Sequence, residues 1–504
     1  MNPPIPRPIP YLDILPAELW IACWNLCSNS EVRSISAVCK LFRSICLPLL
    51  LRDQVLDVSP SARVTSGDWA ARGQQLEGLA TRLHDLVEYA PLVRSWKAAI
   101  GLSVKESTVR IDIEDWCYFD SMYNRILTVF GATLGLYRNL YCLHLEWFVL
   151  DEPFLATLAA LPMLEELFLQ NCDLASYEDG LWLGLKAFTE LGSYSTADSL
   201  RIADPTCLQT LRLQGSDIFR SMIVGFGTAP NFTQLVDFSL EELTSLTTFF
   251  GVLRRCPRLE SLKITSIART AFLGLDSAFA DLIEPTWIPL LRSIAAPSIA
   301  LIRMIVPRRP VRDVAIYSSR MQSPRYLPAE EIILLLMDIA SSAAPLHSLV
   351  LPGTDPTLAC FAFITRHFPQ LRKLSMIIQE TGKEPIEGVP DSLMWHYDHN
   401  GRSREHLPES FPVFRRNQLP DITSASNIHN ILRWIFGEDI ALPVELEVLE
   451  LEADVLVHDP FTAKQHRQVA KALRQLCPDL RELRLHRTTF KRTGNSWKDT
   501  SSEA

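Results

Sequence analysis

The chain has 504 residues, of which 47% are hydrophobic and 21% are charged. This composition is typical of a folded protein with a large core and excludes a mostly disordered chain, and the length allows about three domains or one long repeat array. Lys and Arg number 49 against 58 Asp and Glu, giving a net charge of −9 with no basic run, so we expect neither nucleic acid nor an anionic membrane as the main partner.

The N-terminal sequence lacks the features of a targeting signal. Residues 1–10 are rich in proline and lack the apolar stretch of a secretory signal, so we predict disorder there. No uncharged apolar run reaches the 18 residues typical of a transmembrane helix. Eleven cysteines are scattered along the chain without a CxxC pair, which indicates a reducing compartment. We therefore expect a soluble protein of the cytoplasm, the nucleus or both, with no membrane partner.

Residues 11–51 predict a small all-helical module. Pro16 stands where a helix can begin, and Glu18 lies in the first turn, where a negative charge favours the helix dipole. Ser28 and the residues after it provide a break and a new N-cap. Pro48 is expected to stop the last helix.

Two short motifs in this module resemble the opening and closing signatures of an F-box. They are residues 15–20 (LPAELW) and residues 38–43 (VCKLFR), with Cys23 where Ile is common and Phe42 where Trp is common. The resemblance implies that the module docks on a Skp-type adaptor. The positions that carry over to adaptor binding are Leu15, Pro16, Leu19, Trp24, Val38, Cys39 and Phe42. The alternative is that Leu19, Trp24 and Phe42 form the core of the module itself.

Residues 52–135 have a weaker pattern. Apolar residues at helical spacing predict a helical linker over residues 66–99. Val109, Ile111 and Ile113 alternate like a strand, so divergent first repeats are the alternative for part of this segment.

From residue 136 to residue 490 the chain repeats the pattern Leu-x-x-Leu-x-Leu, with other apolar residues allowed. The alternation puts the paired leucines on one face of a short strand, and stacking the strands buries them in one continuous core. Several copies follow an amphipathic stretch that ends in proline, and one carries a Cys at the turn, where a side chain can satisfy backbone groups. The copies begin at Leu140, Leu164, Leu208, Leu235, Leu259, Leu291, Val311, Leu346, Leu371, Leu446 and Leu480.

This spacing predicts an α/β protein in which the helical module precedes an irregular leucine-rich-repeat solenoid, a curved parallel sheet with helices on its convex side. The array has a gap of 44 residues between Leu164 and Leu208. Residues 379–427 predict a polar insertion, followed by a helix over residues 428–436. Residues 491–504 predict a disordered tail.

Side chains between the paired leucines of each strand are expected on the concave side, where a protein target would bind. The target is an unknown protein. The candidates that we single out for target binding are His144, Phe168, Arg212, Ser239, Lys263, Lys373 and Arg484.

No nucleotide-binding loop, esterase elbow or zinc-protease motif is present. His396, His399 and His406 lie in the polar insertion, where solvated histidines are expected, so we predict no metal, no cofactor and no catalytic residue. The whole chain resembles the F-box/leucine-rich-repeat proteins. That resemblance implies a non-catalytic subunit that recruits its target to a cullin–RING ubiquitin ligase through the Skp-type adaptor and a cullin. The alternative is a non-catalytic protein-binding scaffold that acts outside a ubiquitin ligase.

Overall fold

The chain forms two compact units, Met1–Pro230 and Asn231–Ala504, and each is described by itself. Both combine helices with a mostly parallel sheet, which confirms the predicted α/β class. Across the segments described, no helix is both long and apolar enough to cross a bilayer. The computed structural model describes residues 15–58, 69–99, 113–174, 182–195, 198–227, 231–268, 271, 283–317, 329–354, 357–378, 427–436, 440–453, 463–494 and 496–500.

The first unit begins with three helices, α1 (Ala17–Trp24), α2 (Asn29–Ser36) and α3 (Lys40–Leu51). Ser28 caps α2 through a capping box: its hydroxyl accepts from the Glu31 backbone N–H, and the Glu31 carboxylate accepts from the Ser28 backbone N–H at 2.7 Å. α1 begins after Pro16 and α2 begins after Ser28, as the sequence predicts.

The prediction that Pro48 stops the last helix is wrong, because α3 continues through this residue to Leu51. A proline in the last turn removes one backbone hydrogen bond. Leu49 and Leu50 pack against the core of the module, and this burial favours a continued helix.

The main sheet of the first unit starts directly after α3. Its six strands are all parallel and follow one another in the order β1, β2, β3, β5, β7, β9. Short strands β4, β6 and β8 form a second parallel sheet beside it. The strands are β1 (Asp53–Asp57), β2 (Ser95–Ala99), β3 (Cys142–Glu146), β4 (Val149–Leu150), β5 (Glu166–Gln170), β6 (Asp173–Leu174), β7 (Ala187–Leu191), β8 (Tyr194–Ser195) and β9 (Thr210–Leu213).

Helices connect the first four strands of the main sheet and another follows its last strand, and aromatic side chains pack beside the sheet. Trp96 of β2 contacts Phe130 and Tyr137 edge to face, with ring centroids 5.5 and 5.6 Å apart. The helices are α4 (Trp69–Leu86), which runs into a 3₁₀ turn (Val87–Leu92), α5 (Ile113–Leu134), α6 (Glu152–Ala159) and α7 (Ser216–Phe226). Ile113 begins a helix, so a strand there is wrong, whereas Val109 and Ile111 lie outside the described residues.

The second unit repeats the same arrangement of strand, turn and helix. Its first eight strands are parallel, each beside the next, and the last two are antiparallel. The strands are β10 (Asp237–Leu243), β11 (Ser261–Ile267), β12 (Ser293–Ala296), β13 (Asp313–Ile316), β14 (Ser348–Thr354), β15 (Lys373–Ile378), β16 (Val448–Ala453), β17 (Glu482–Leu485), β18 (Thr488–Thr493) and β19 (Ser496–Asp499). The helices are α8 (Leu246–Leu253), α9 (Ile299–Ile305), α10 (Ala329–Ala340), α11 (Leu358–His367), α12 (Asn427–Phe436) and α13 (Ala463–Leu476).

Each of the eleven predicted repeat copies is followed by a strand. β1 and β2 extend the parallel sheet back to Asp53, into the segment for which divergent first repeats were the alternative. The gap after Leu164 contains a further strand, β7. The prediction of a disordered tail is wrong for residues 491–493 and 496–499, which belong to β18 and β19.

Two predicted segments lie outside the described residues: residues 1–10, and the polar insertion up to residue 426. The helix predicted after the insertion is confirmed as α12.

The turn after β5 shows why a cysteine suits this place in the repeat. The Cys172 thiol donates to the carbonyl oxygens of Leu145 and Gln170, each at 3.4 Å, and its backbone N–H donates to the Ser193 hydroxyl at 3.0 Å. The preceding Asn171 has a φ of 51°, a left-handed conformation that Asn tolerates. The predicted role of this Cys, satisfying backbone groups at the turn, is confirmed.

Candidate functional site

The N-terminal module closes around three aromatic rings. The centroid of Trp24 lies 5.4 Å from that of Trp20 and 4.9 Å from that of Phe42. Trp24 is buried with Val32, Ile45 and Cys46, and Phe42 packs against this cluster. Trp24 and Phe42 therefore form the core of the module, as the alternative interpretation had it, rather than a free surface.

Pro16 and Cys39 shape the module at its helix starts. Pro16 is exposed and immediately precedes α1. Cys39 is half-buried and caps α3, where its sulfur accepts from the Phe42 backbone N–H at 3.4 Å. Both residues set where a helix begins, so they position the side chains around them.

The other candidates leave large apolar side chains in solvent. Leu15 is 38% exposed, Leu19 is 50% exposed and Val38 is 70% exposed. Leu26 and Leu41 are exposed as well, and the sequence analysis did not select them, although Leu41 lies within the closing motif. We call these five residues the exposed apolar set. A 40-residue module that displays five such groups has surface that a protein partner can cover.

On the main sheet of the first unit, strand register aligns side chains into rows on the face opposite the helices. His144 and Phe168 are register neighbours, and Arg212 occupies the same row two strands further on. The rings of His144 and Phe168 contact each other, with centroids 4.0 Å apart. The structure thus brings His144 and Phe168 together, and it places Arg212 on the same surface.

The environment of His144 disfavours the charged form of its ring. Burial lowers the pKa of His144, and the nearby Lys97 ammonium lowers it further, while a hydrogen bond with the Gln170 side chain opposes both. The Nε2 atom is buried without a hydrogen-bond partner. A ring in this state offers one unused polar atom beside an aromatic surface.

The second unit carries the remaining candidates on the corresponding face of its own sheet. Ser239 and Lys263 are register neighbours, and Lys263 is exposed. Lys373 and Arg484 instead take part in ion pairs, with Glu450 at 3.1 Å and with Glu452 at 3.3 Å. Positive and negative groups compensate each other on this part of the sheet.

Two residues on the first sheet were missed by sequence reasoning, Lys97 and Thr189, which share the row of His144 and Phe168. Their strands depart from the repeat, since Trp96 and Ala98 replace the paired leucines in one and Phe188 and Glu190 replace them in the other. The strand that carries Thr189 could have been found from Leu185-x-x-Phe188, which matches the start of the repeat pattern.

No described stretch of the chain brings three His, Cys, Asp or Glu side chains together as a metal site requires. His396, His399 and His406 lie outside the described residues.

No family model matches the chain. No curated protein matches it either. The surfaces described above therefore carry the functional argument.

Proposed function

We propose that this chain is a substrate-recognition subunit of a cullin–RING ubiquitin ligase. The helical module acts as an F-box that docks on a Skp-type adaptor, and the strand array acts as a leucine-rich-repeat solenoid that holds a protein target. Such a subunit brings its target close to a ubiquitin-charged enzyme and leaves acyl transfer to that enzyme. The proposal places the protein in the cytoplasm, the nucleus or both.

The observation that carries the proposal is the exposed apolar set on a module whose own core is already closed. Trp24, Phe42 and their neighbours satisfy the packing needs of the three helices. Leu15, Leu19 and Val38 contribute nothing to that core and remain in water. Covering such groups with a partner removes apolar surface from water, which favours association.

The sheets support the second part of the proposal, which is that the strand array holds a protein target. Parallel strands with buried alternate residues present the others on an open face, and this face extends over many strands in each unit. A surface of this kind suits a protein epitope rather than a small molecule.

The test is co-purification of the full chain with a purified Skp-type adaptor and a cullin. Leu19→Asp combined with Leu15→Asp is expected to lose the adaptor, because a charge in the covered interface costs several-fold in affinity. Leu334→Asp on α10 is the matched control, since Leu334 is 48% exposed and Leu19 is 50% exposed. Equal recovery of adaptor by wild type and the double variant would overturn the proposal. Recovery of the adaptor without cullin would favour a scaffold outside the ligase.

A further inference from the structure

The small sheet of the first unit, formed by β4, β6 and β8, continues the register of the main sheet. Each of its strands follows a main strand after a turn whose first residue is left-handed: Trp147, Asn171 and Gly192 have φ values of 64°, 51° and 66°. Backbone bonds join the turns, since the Trp147 N–H donates to the Gln170 carbonyl at 2.9 Å and the Asn171 N–H donates to the Leu191 carbonyl at 2.8 Å. Successive turns therefore deliver the three short strands side by side.

One face of the small sheet is exposed and carries a row of three side chains, Val149, Asp173 and Tyr194. Hydrogen-bonded register aligns Val149 with Asp173 and Asp173 with Tyr194. Val149 is 60% exposed, Tyr194 is 63% exposed, and Asp173 is exposed between them. The following residues Leu150 and Leu174 are buried, so the core anchors the sheet while the row faces solvent. Adjacent strands are about 4.8 Å apart, which places the three side chains within reach of one short segment of a partner.

Asp173 provides a charge without a partner at the centre of the row. Its carboxylate makes no ion pair with any residue that the structure describes. The surroundings are negative as well, because the Glu146 carboxylate is close to the neighbouring Cys172. Burial and, to a smaller extent, the charge of Glu146 raise the pKa of the Cys172 thiol to about 11. A positive group of a partner is therefore favoured beside Asp173.

The residues on either side of Asp173 select the kind of positive group. Tyr194 presents an exposed phenol ring next to the carboxylate, and a guanidinium can stack on such a ring while it donates two hydrogen bonds to a carboxylate. A lysine ammonium offers neither planar stacking nor a bidentate pair. Val149 presents apolar surface on the other side of Asp173, and an apolar residue of the same segment can cover it.

We propose that this row binds a segment of the target protein in which an arginine bonds to Asp173 and stacks on Tyr194, and in which a nearby apolar residue covers Val149. One or two residues of extended chain span the distance of about 4.8 Å between neighbouring strands, so the apolar residue lies within two positions of the arginine. The inference rests on the proposed function, because it specifies the chemistry of the target. The row is separate from the exposed apolar set.

The probe is a phage-displayed library of random dodecapeptides, selected in parallel on the full chain and on its variants. Wild type is expected to enrich arginine with an apolar residue within two positions. Asp173→Asn is expected to abolish this enrichment, because the amide keeps the size of the side chain and removes its charge. Asp85→Asn is the matched control, since Asp85 is exposed on helix α4 of the same unit, and it is expected to enrich the same peptides as wild type.

Synthetic copies of the most enriched peptide measure the separate contributions. Replacing its arginine by glutamine is expected to weaken binding to wild type about tenfold, and replacing it by lysine about threefold. Tyr194→Leu is expected to bind the arginine and lysine peptides equally, because leucine keeps apolar area and lacks a ring for stacking. Val149→Ser is expected to lose the preference for the apolar residue and to keep that for arginine.

The inference is overturned if selection on wild type does not enrich arginine, or if Asp173→Asn enriches it as wild type does. A full chain that self-associates, and ceases to do so in Asp173→Asn, would also overturn it, because the occupant would then be a second copy.

Adaptor capture separates this failure from failure of the proposed function. A wild-type chain that captures the adaptor and enriches no arginine disproves only the target chemistry. Enrichment of arginine by a wild-type chain that never captures the adaptor disproves the ligase assignment instead.

Discussion

Among the described Asp, Glu, Lys and Arg residues, each unit buries one side chain, and the two carry opposite charges. In the first unit Glu190 is fully buried and accepts from the backbone N–H groups of Ser193, Gln214 and Gly215 at 2.6, 3.1 and 3.0 Å. In the second, Arg309 is 1% exposed and its guanidinium donates to four backbone carbonyls.

In both cases the partners are main-chain groups at places where the regular strand–turn–helix pattern changes. Glu190 satisfies the N–H groups at the start of α7, where the second sheet has ended after β8. Arg309 joins the end of α9 to the turn around Trp287. The charges of the two side chains differ because different backbone groups lack a partner. N–H donors are left over at the start of a helix, whereas C=O acceptors are left over at its end. At each of these irregular places, a buried side chain of the matching charge bonds the backbone groups that regular structure leaves unpaired.

The largest effect is expected for Glu190→Leu. The variant restores the leucine of the repeat, yet it leaves the N–H groups of Ser193 and Gly215 without an acceptor, whereas the Gln214 N–H keeps the Glu190 carbonyl oxygen. We expect this to cost about 3 kcal/mol or more of unfolding free energy. Urea unfolding of the full chain measures this loss. Glu190→Gln keeps one acceptor oxygen and is expected to lose less. A leucine variant as stable as wild type would mean that the carboxyl group does not hold this turn.

Arg309→Met is expected to destabilise the second unit by about 2 kcal/mol, since it keeps side-chain length and removes the donors for buried carbonyls. Burial lowers the pKa of Arg309 to about 10, so the guanidinium stays charged at neutral pH. The neighbouring Arg308, which is exposed, provides the control. Its change to Met is expected to alter stability by less than about 0.5 kcal/mol. Equal effects at the two positions would contradict the assigned role of the buried arginine.

A half-buried ion pair should matter less than either fully buried group. Lys373 and Glu450 are 39% and 19% exposed and 3.1 Å apart. A double-mutant cycle with Lys373→Met and Glu450→Gln is expected to give a coupling of about 0.5 kcal/mol that shrinks in high salt. A coupling that survives 1 M salt would show that the face of the second unit is less solvated than its exposure indicates.

The smallest effect is expected at Glu31, which is fully exposed. Hydrogen bonds from the Ser28 side chain and backbone lower the pKa of Glu31 below its ordinary value of 4.5. The capping box therefore adds stability above that value and loses it as pH falls through the lower, folded-state pKa. Glu31→Gln keeps the hydrogen-bond geometry without titrating. Thermal unfolding between pH 5 and pH 3 should show a smaller acid-induced decline for the variant than for wild type, and identical declines would argue against the box.

The sequence predicts those parts of the fold where local pattern and burial agree. Leu164 to Leu174 is directly recognised as strand and turn because apolar residues alternate along the strand, and the structure buries the alternate residues of β5. The strand with Glu190 could not be recognised this way, since a carboxyl group in a core position makes sense only once the N–H groups of Gln214 and Gly215 are beside it. Long-range partners of this kind are absent from a local pattern.

The candidate site likewise contains features that the sequence predicts and features that only the folded structure shows. Leu19 and Trp24 both lie in α1, and only packing against the other helices shows that the indole is in the core while the leucine is exposed. Lys97 was missed because Trp96 and Ala98 stand where the repeat pattern has leucines, so its strand was not recognised. Strand register places Lys97 beside His144. Local spacing predicts that a side chain is apolar or charged, whereas tertiary packing determines whether it is available.

Amide hydrogen exchange of the full chain, with and without a purified Skp-type adaptor, tests the central claim most directly. The account predicts new protection confined to residues 15–42, where the exposed apolar set lies, with the sheet strands of both units unchanged. Protection that appears on the strands instead, or none at all at adaptor concentrations that saturate a known F-box protein, would contradict it.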